Sequence, residues 1–113
     1  MNNTKKIGVL GTGSFGTAVA NLIAENAEVL FYGRNEAIVQ KINETRQHKS
    51  TKIHPNITAI NDLEQLATEC DLIFPIVPSS NFRAMMRDLA PYLRPYHMLI
   101  HGTKGLDCRE VTN

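Results

Sequence analysis

Cysteine is scarce in this chain, and so is any motif that would use it. Cys70 and Cys108 are the only two in 113 residues. They form no CxxC pair, which leaves no disulfide framework and suits a reducing compartment. An excess of charge of one sign is also missing. Twelve Lys and Arg against eleven Asp and Glu leave a formal net charge of +1, so the balance makes no case for nucleic acid or an anionic membrane surface. Long apolar runs are absent too. The stretch that follows Lys5 and Lys6 stops at a glycine turn, too short for a signal-peptide core, and no stretch approaches the ~20 apolar residues of a membrane span. A cytoplasmic location is expected.

Several catalytic constellations are missing as well. His48, His54, His97 and His101 lack HExxH or another ligand spacing, so no metal is expected. Ser79 and Ser80 have no nucleophile elbow or base partner, and helix capping is their better account. The acidic residues are scattered and offer no carboxylate pair. Cys108 lies near Lys104, but nothing around it supports a catalytic role. No internal repeat, low-complexity tract or interdomain linker appears.

What is present is the composition of an ordinary globular domain, 42% hydrophobic and 20% charged, able to bury about two-thirds of its unfolded surface. Short β-branched runs alternate with helical stripes, the pattern of a doubly wound, mostly parallel α/β sheet of Rossmann type. About five strands are expected, with helices on both faces. Ile7 to Leu10 reads as the first strand. Phe15, Ala18, Val19, Leu22 and Ile23 then make one apolar helix face. Val29 to Tyr32 is the second strand, after which Asn35 caps a helix turning Ile38, Val39 and Ile42 inward. From Glu44 to Asn56 the chain is polar and without period, a solvated connector or a functional surface loop, with composition favouring the connector. Ile57 to Ile60 reads as a short strand, and Asn61 with Glu64 as a capping box ahead of Leu63, Leu66 and Ala67. Asp71 to Val77 reads as a buried strand that Pro75 should end early or bulge. Phe82, Met85, Met86, Leu89, Ala90 and Leu93 form a core-facing stripe, and Met98 to Ile100 a last strand.

The first strand runs straight into Gly11-Thr-Gly-Ser-Phe-Gly16, a GxGxxG element followed at once by a helix. Gly11 permits the tight turn, Gly13 lets the backbone approach a pyrophosphate, and Gly16 allows close helix packing. The free N–H groups of the new helix then face an anion. A structural turn or another nucleotide are the competing readings, and the flanking strand and helix favour a dinucleotide. In such a sheet the glycine turn, the end of the second strand and the loops after the fourth and fifth strands converge. Arg34 stands about 18 residues beyond Gly16, near the ribose-reading position. There it clamps a 2′-phosphate or stacks on adenine, against the alternative of a solvated strand-end arginine, and NADP is as well suited as NAD. Lys104, between two glycines, suits a phosphate or a carbonyl oxygen gaining charge, against a plain surface lysine.

Taken in order, VLGTGSFGTAVA, YGRN, NITAINDLEQL, IVPSSNFR and GTKGL resemble the amino-terminal part of NAD(P)-dependent glycerol-3-phosphate dehydrogenases, over almost the whole chain. GTKGL in register behind a GxGxxG half-domain is the specific part. The resemblance implies reversible reduction of dihydroxyacetone phosphate to sn-glycerol 3-phosphate with NAD or NADP, for glycerophospholipid synthesis. To the glycines Gly11, Gly13 and Gly16 read from the motif it adds cofactor contacts at Ser14, Phe15, Arg34 and Lys104, with Lys104 also touching substrate. Residues 1–113 would be an incomplete NAD(P)-binding domain, with little turnover alone. A helical substrate domain carrying the proton-donor lysine is expected beyond Asn113, and a homodimer is left open. Two departures stand out: NETRQHKSTKIHPN replaces the family's aromatic-Leu-Pro element, and His101 replaces a small residue. Another NAD(P)-dependent dehydrogenase and a non-catalytic dinucleotide-binding module are the alternative functions.

Overall fold

In the computed structural model, residues 6–77 and 79–100 are described. Strand β1 (Lys6–Leu10) leads into helix α1 (Ser14–Ala24), then β2 (Val29–Tyr32) and α2 (Glu36–Thr45). A two-residue pair, β3 (Gln47–His48) and β4 (Thr51–Lys52), precedes β5 (Ile57–Ile60) and α3 (Leu63–Glu69). Then come β6 (Cys70–Pro75), α4 (Ser79–Leu89), a 3₁₀ turn (Ala90–Tyr92) and β7 (Met98–Leu99). The main sheet has five strands in the order β5-β2-β1-β6-β7, and every pairing in it is parallel. The chain winds outward from β1 to one edge, returns, and continues on the other side through β6. The switch point therefore lies between β1 and β6.

Alternate strand residues feed two cores, as a sheet covered on both faces requires. Val9, Val29, Phe31, Ile57 and Ala59 meet Ala20, Ala24, Val39 and Ile42 from α1 and α2. Leu10, Leu30, Tyr32, Ile60 and Ile73 meet Leu66, Met85, Met86 and Leu89 from α3 and α4. The doubly wound expectation holds, and with it the stripe on α4, except that Ala90 is exposed at the start of the 3₁₀ turn.

Three expectations need correction. The buried face of α1 is Gly16, Thr17, Ala20 and Ala24, while Phe15 and Leu22 are 57% and 67% exposed. A period fixes an apolar stripe but not how near the helix lies to the sheet. Here a Cβ on Gly16 would stand 2.2 Å from the Gly11 carbonyl oxygen, so only small side chains fit beneath the helix start. The cap of α3 is Asp62, not Asn61. Its carboxylate accepts the Glu64 and Gln65 N–H groups at 2.9 and 3.2 Å, and its charge suits the positive helix end.

The connector after α2 is a built hairpin. Lys49 and Ser50 have φ of 51° and 64°, the left-handed pair of a two-residue turn whose twist matches paired strands. Beyond it Ile53 is buried, and Arg46 holds the carbonyls of His54 and Ile57, both at 2.7 Å. Strand β6 does end at Pro75, but its irregularity lies at the other end. The register steps from Lys6↔Cys70 to Ile7↔Leu72, so Asp71 is an extra residue. That step reverses side-chain parity, which is why Cys70 and Ile73, three positions apart, enter the same core.

Candidate functional site

At the carboxyl ends of β1, β2 and β6 a cleft of about 250 Å³ opens. Its walls are Gly11, Thr12 and Gly13 after β1, Tyr32 to Asn35 at the end of β2, Ile76 and Val77 after β6, and Asn81 and Met85 on α4. The convergence expected at the switch point is thus formed, apart from the loop after β7, which lies outside the described residues with His101, Lys104 and Cys108.

The three turn glycines are held by different contacts. Gly11 has φ +104°, and a Cβ there would meet the Ile76 carbonyl oxygen at 2.2 Å, so neither backbone nor space admits a side chain. Gly16 is packed against the Gly11 carbonyl. Gly13 differs from both, because a Cβ on it would meet nothing within 4 Å. It is the N-cap of α1, with φ −71° and ψ −179°, and no side chain caps the helix. Thr17 instead turns back, its N–H and Oγ1 donating to the Gly13 carbonyl at 2.9 and 2.8 Å. The start of α1 is therefore a set of backbone donors left to a ligand or solvent, next to an open α-carbon.

Arg34 is exposed at the cleft rim, directly after β2. Asn35 keeps its capping role, accepting the Ile38 N–H at 3.2 Å. Ser14 and Phe15 are exposed on the first turn of α1 and are not among the cleft walls. Tyr32 is buried beneath the rim, and burial raises its phenol above the usual value while Arg34 opposes the shift. It is a neutral group at physiological pH. Thr12, Ile76, Val77, Asn81 and Met85 were not identified as site residues from sequence. Only the rule that strand ends converge at the switch point could have raised them.

The histidines separate in the structure. His97 is buried, its Nδ1 accepting the Arg94 N–H at 2.7 Å and its Nε2 therefore donating to the Ala67 carbonyl at 2.8 Å, a structural role. His48, on the hairpin, bonds through Nε2 to the Thr12 carbonyl at 2.8 Å. Among the described residues no group of three His, Cys, Asp or Glu side chains is placed to hold a metal, and no helix is long and apolar enough to cross a membrane.

Residues 6–113 match the family model described as NAD-dependent glycerol-3-phosphate dehydrogenase N-terminus. The glycerol-3-phosphate dehydrogenase [NAD(P)+] of Carboxydothermus hydrogenoformans is 34% identical over 107 residues, 90% of this chain and 32% of the relative. That of Pseudomonas fluorescens strain Pf0-1 is 39% identical over 114 residues, 96% of this chain and 32% of the relative. The crystal structure of a glycerol-3-phosphate dehydrogenase from Coxiella burnetii superposes with a TM-score of 0.81 at 24% identity, covering 96% of this chain and 36% of that one. The chain spans about a third of the length of the relatives it matches.

Proposed function

The chain belongs to the NAD-dependent glycerol-3-phosphate dehydrogenase family, over residues 6–113, and from that premise we propose that its cleft binds NAD or NADP for the interconversion of dihydroxyacetone phosphate and sn-glycerol 3-phosphate. The observation that carries the cofactor reading is the uncapped start of α1 beside Gly13, whose α-carbon faces open space. Backbone N–H groups and the helix dipole there favour a diphosphate, and the absence of a side chain lets it come close.

In this reading Gly11 and Gly16 shape the turn, and Gly13, Ser14 and Phe15 present backbone to the pyrophosphate. That assignment needs no side-chain entry into the cleft from Ser14 or Phe15. Arg34 meets the adenosine ribose or its 2′-phosphate. At about 250 Å³ the cleft lies below the ~300–1,000 Å³ of whole-ligand sites, so it suits the adenosine side, with the rest of the dinucleotide running over the helix start. The bound cofactor supplies the hydride exchanged with the substrate carbonyl carbon. Lys104 is assigned to the nicotinamide end and the substrate on the strength of the TKG turn.

Gly13→Ala tests the assignment. The backbone angles accept alanine and the added methyl meets no protein atom, so the thermal midpoint should stay within about 2 °C of wild type. A methyl in the anion's place should weaken NADH and NADPH by about fivefold or more, a cost of about 1–3 kcal/mol. Fluorescence titration showing unchanged affinity for both would overturn the reading.

A further inference from the structure

The hairpin β3–β4 is tied to the molecule on three sides. Arg46 grips the carbonyls of His54 and Ile57 beside β5. Asn21 on α1 donates to the Lys52 carbonyl at 2.9 Å and accepts the His54 N–H at 3.0 Å. The third tie reaches the glycine turn itself, 36 residues back in the chain, through His48 Nε2 and the Thr12 carbonyl. A carbonyl only accepts, so Nε2 carries the proton of this bond.

Thr12 lines the cofactor cleft and His48 does not; His48 lines the separate groove between α2 and the hairpin. The Thr12 carbonyl thus faces the hairpin. A trans peptide is planar, with C=O and the following N–H on opposite sides. Holding the Thr12 carbonyl toward the hairpin therefore aims the Gly13 N–H away from it, and Gly13 itself borders the cleft. Gly13 has no side chain to restrict this peptide, and the Thr12 side chain lies where a Cβ on Gly33 would stand, its methyl 2.9 Å from that position.

We infer that His48 is a positioning residue for the cofactor: from behind the turn it holds the Thr12–Gly13 peptide in the orientation that presents the Gly13 N–H to the pyrophosphate. The inference rests on the dinucleotide reading above. Its signature is that both cofactors share the pyrophosphate, so loss of the tether must affect them alike.

In the full chain, His48→Ala should weaken NADH and NADPH by the same factor, about threefold to tenfold, the yield of one hydrogen bond. His48→Gln, whose amide N–H can reach the same carbonyl, should return both affinities to within about twofold of wild type. Fluorescence titration, with thermal midpoints taken alongside, reads the result. Wild-type affinity in His48→Ala, equal losses in both variants, or a loss confined to NADPH would each overturn the role. Failure of the wild-type chain to bind either cofactor would instead overturn the dinucleotide reading beneath it.

Discussion

In the proposed cofactor reading, Arg34 is the residue assigned to the choice between NAD and NADP. It is the exposed cation at the cleft rim, and its neighbours Gly33 and Asn35 are committed to packing and to capping α2. A charge-assisted bond to a 2′-phosphate is worth about 1.5–3 kcal/mol. Arg34→Ala should therefore cost NADPH about tenfold to a hundredfold in affinity and NADH less than about threefold. Equal losses in a paired titration would return Arg34 to a solvated side chain. The glycine positions and Arg34 are legible in the sequence because motif and distance along the chain are local properties. His48 is not. It reads like His54 or His97 until the fold brings it against a carbonyl 36 residues away.

At the scale of elements, helix α1 and the start of α3 show where pattern reading fails. Apolar period picked the wide face of α1, of which Ile23 does pack on the core while Phe15 and Leu22 stay exposed; the fully buried face is the small one, set by the contact of Gly16 with the turn. Ala20 is fully buried there. Ala20→Leu should destabilise by about 1–3 kcal/mol through overpacking, whereas Leu22→Ala on the exposed face should stay within about 0.5 kcal/mol. Urea denaturation of the pair checks this, and the reverse ranking would mean that the apolar face is the buried one. For α3 the two candidate caps are adjacent in sequence. Asp62→Ala should cost about 0.5–2 kcal/mol and Asn61→Ala much less, measured in the same way. The order and kind of the main elements were readable from period and turn residues. The hairpin was not, because two-residue strands have no period to read.

The elements are coupled through the two cores and, among the described residues, through a long-range ion pair. Lys6 on β1 meets Glu69 at the end of α3 at 2.8 Å, with each side chain about a third exposed. The hydrogen bond between them raises the lysine and lowers the carboxylate. Glu69 thus contributes stability that is present above its unfolded value and lost as pH falls through its lowered folded one. At this exposure the pair is worth only about 0.2–1 kcal/mol. Cys70 gives a stronger alkaline signal, because burial pushes its thiol up to about 12 from 9.0. A raised thiol keeps its full contribution below the unfolded value, so stability should fall as pH rises from about 9 toward 12. In a Cys108→Ser background, Cys70 should resist alkylation until urea unfolds the chain, with labelling and circular dichroism changing together. Rapid labelling of the native protein would contradict its burial.

Period, glycine spacing and turn chemistry act between near neighbours, so the sequence by itself determined the alternation of strands and helices, the doubly wound class and the tight glycine turn between β1 and α1. Tertiary structure decided what depends on distance across the chain. It chose the narrow face of α1, reversed the parity of β6 at Asp71, folded a polar stretch into an anchored hairpin, and set His48 behind Thr12. Close approach and hydrogen-bond partners between remote segments exist only once the segments have met.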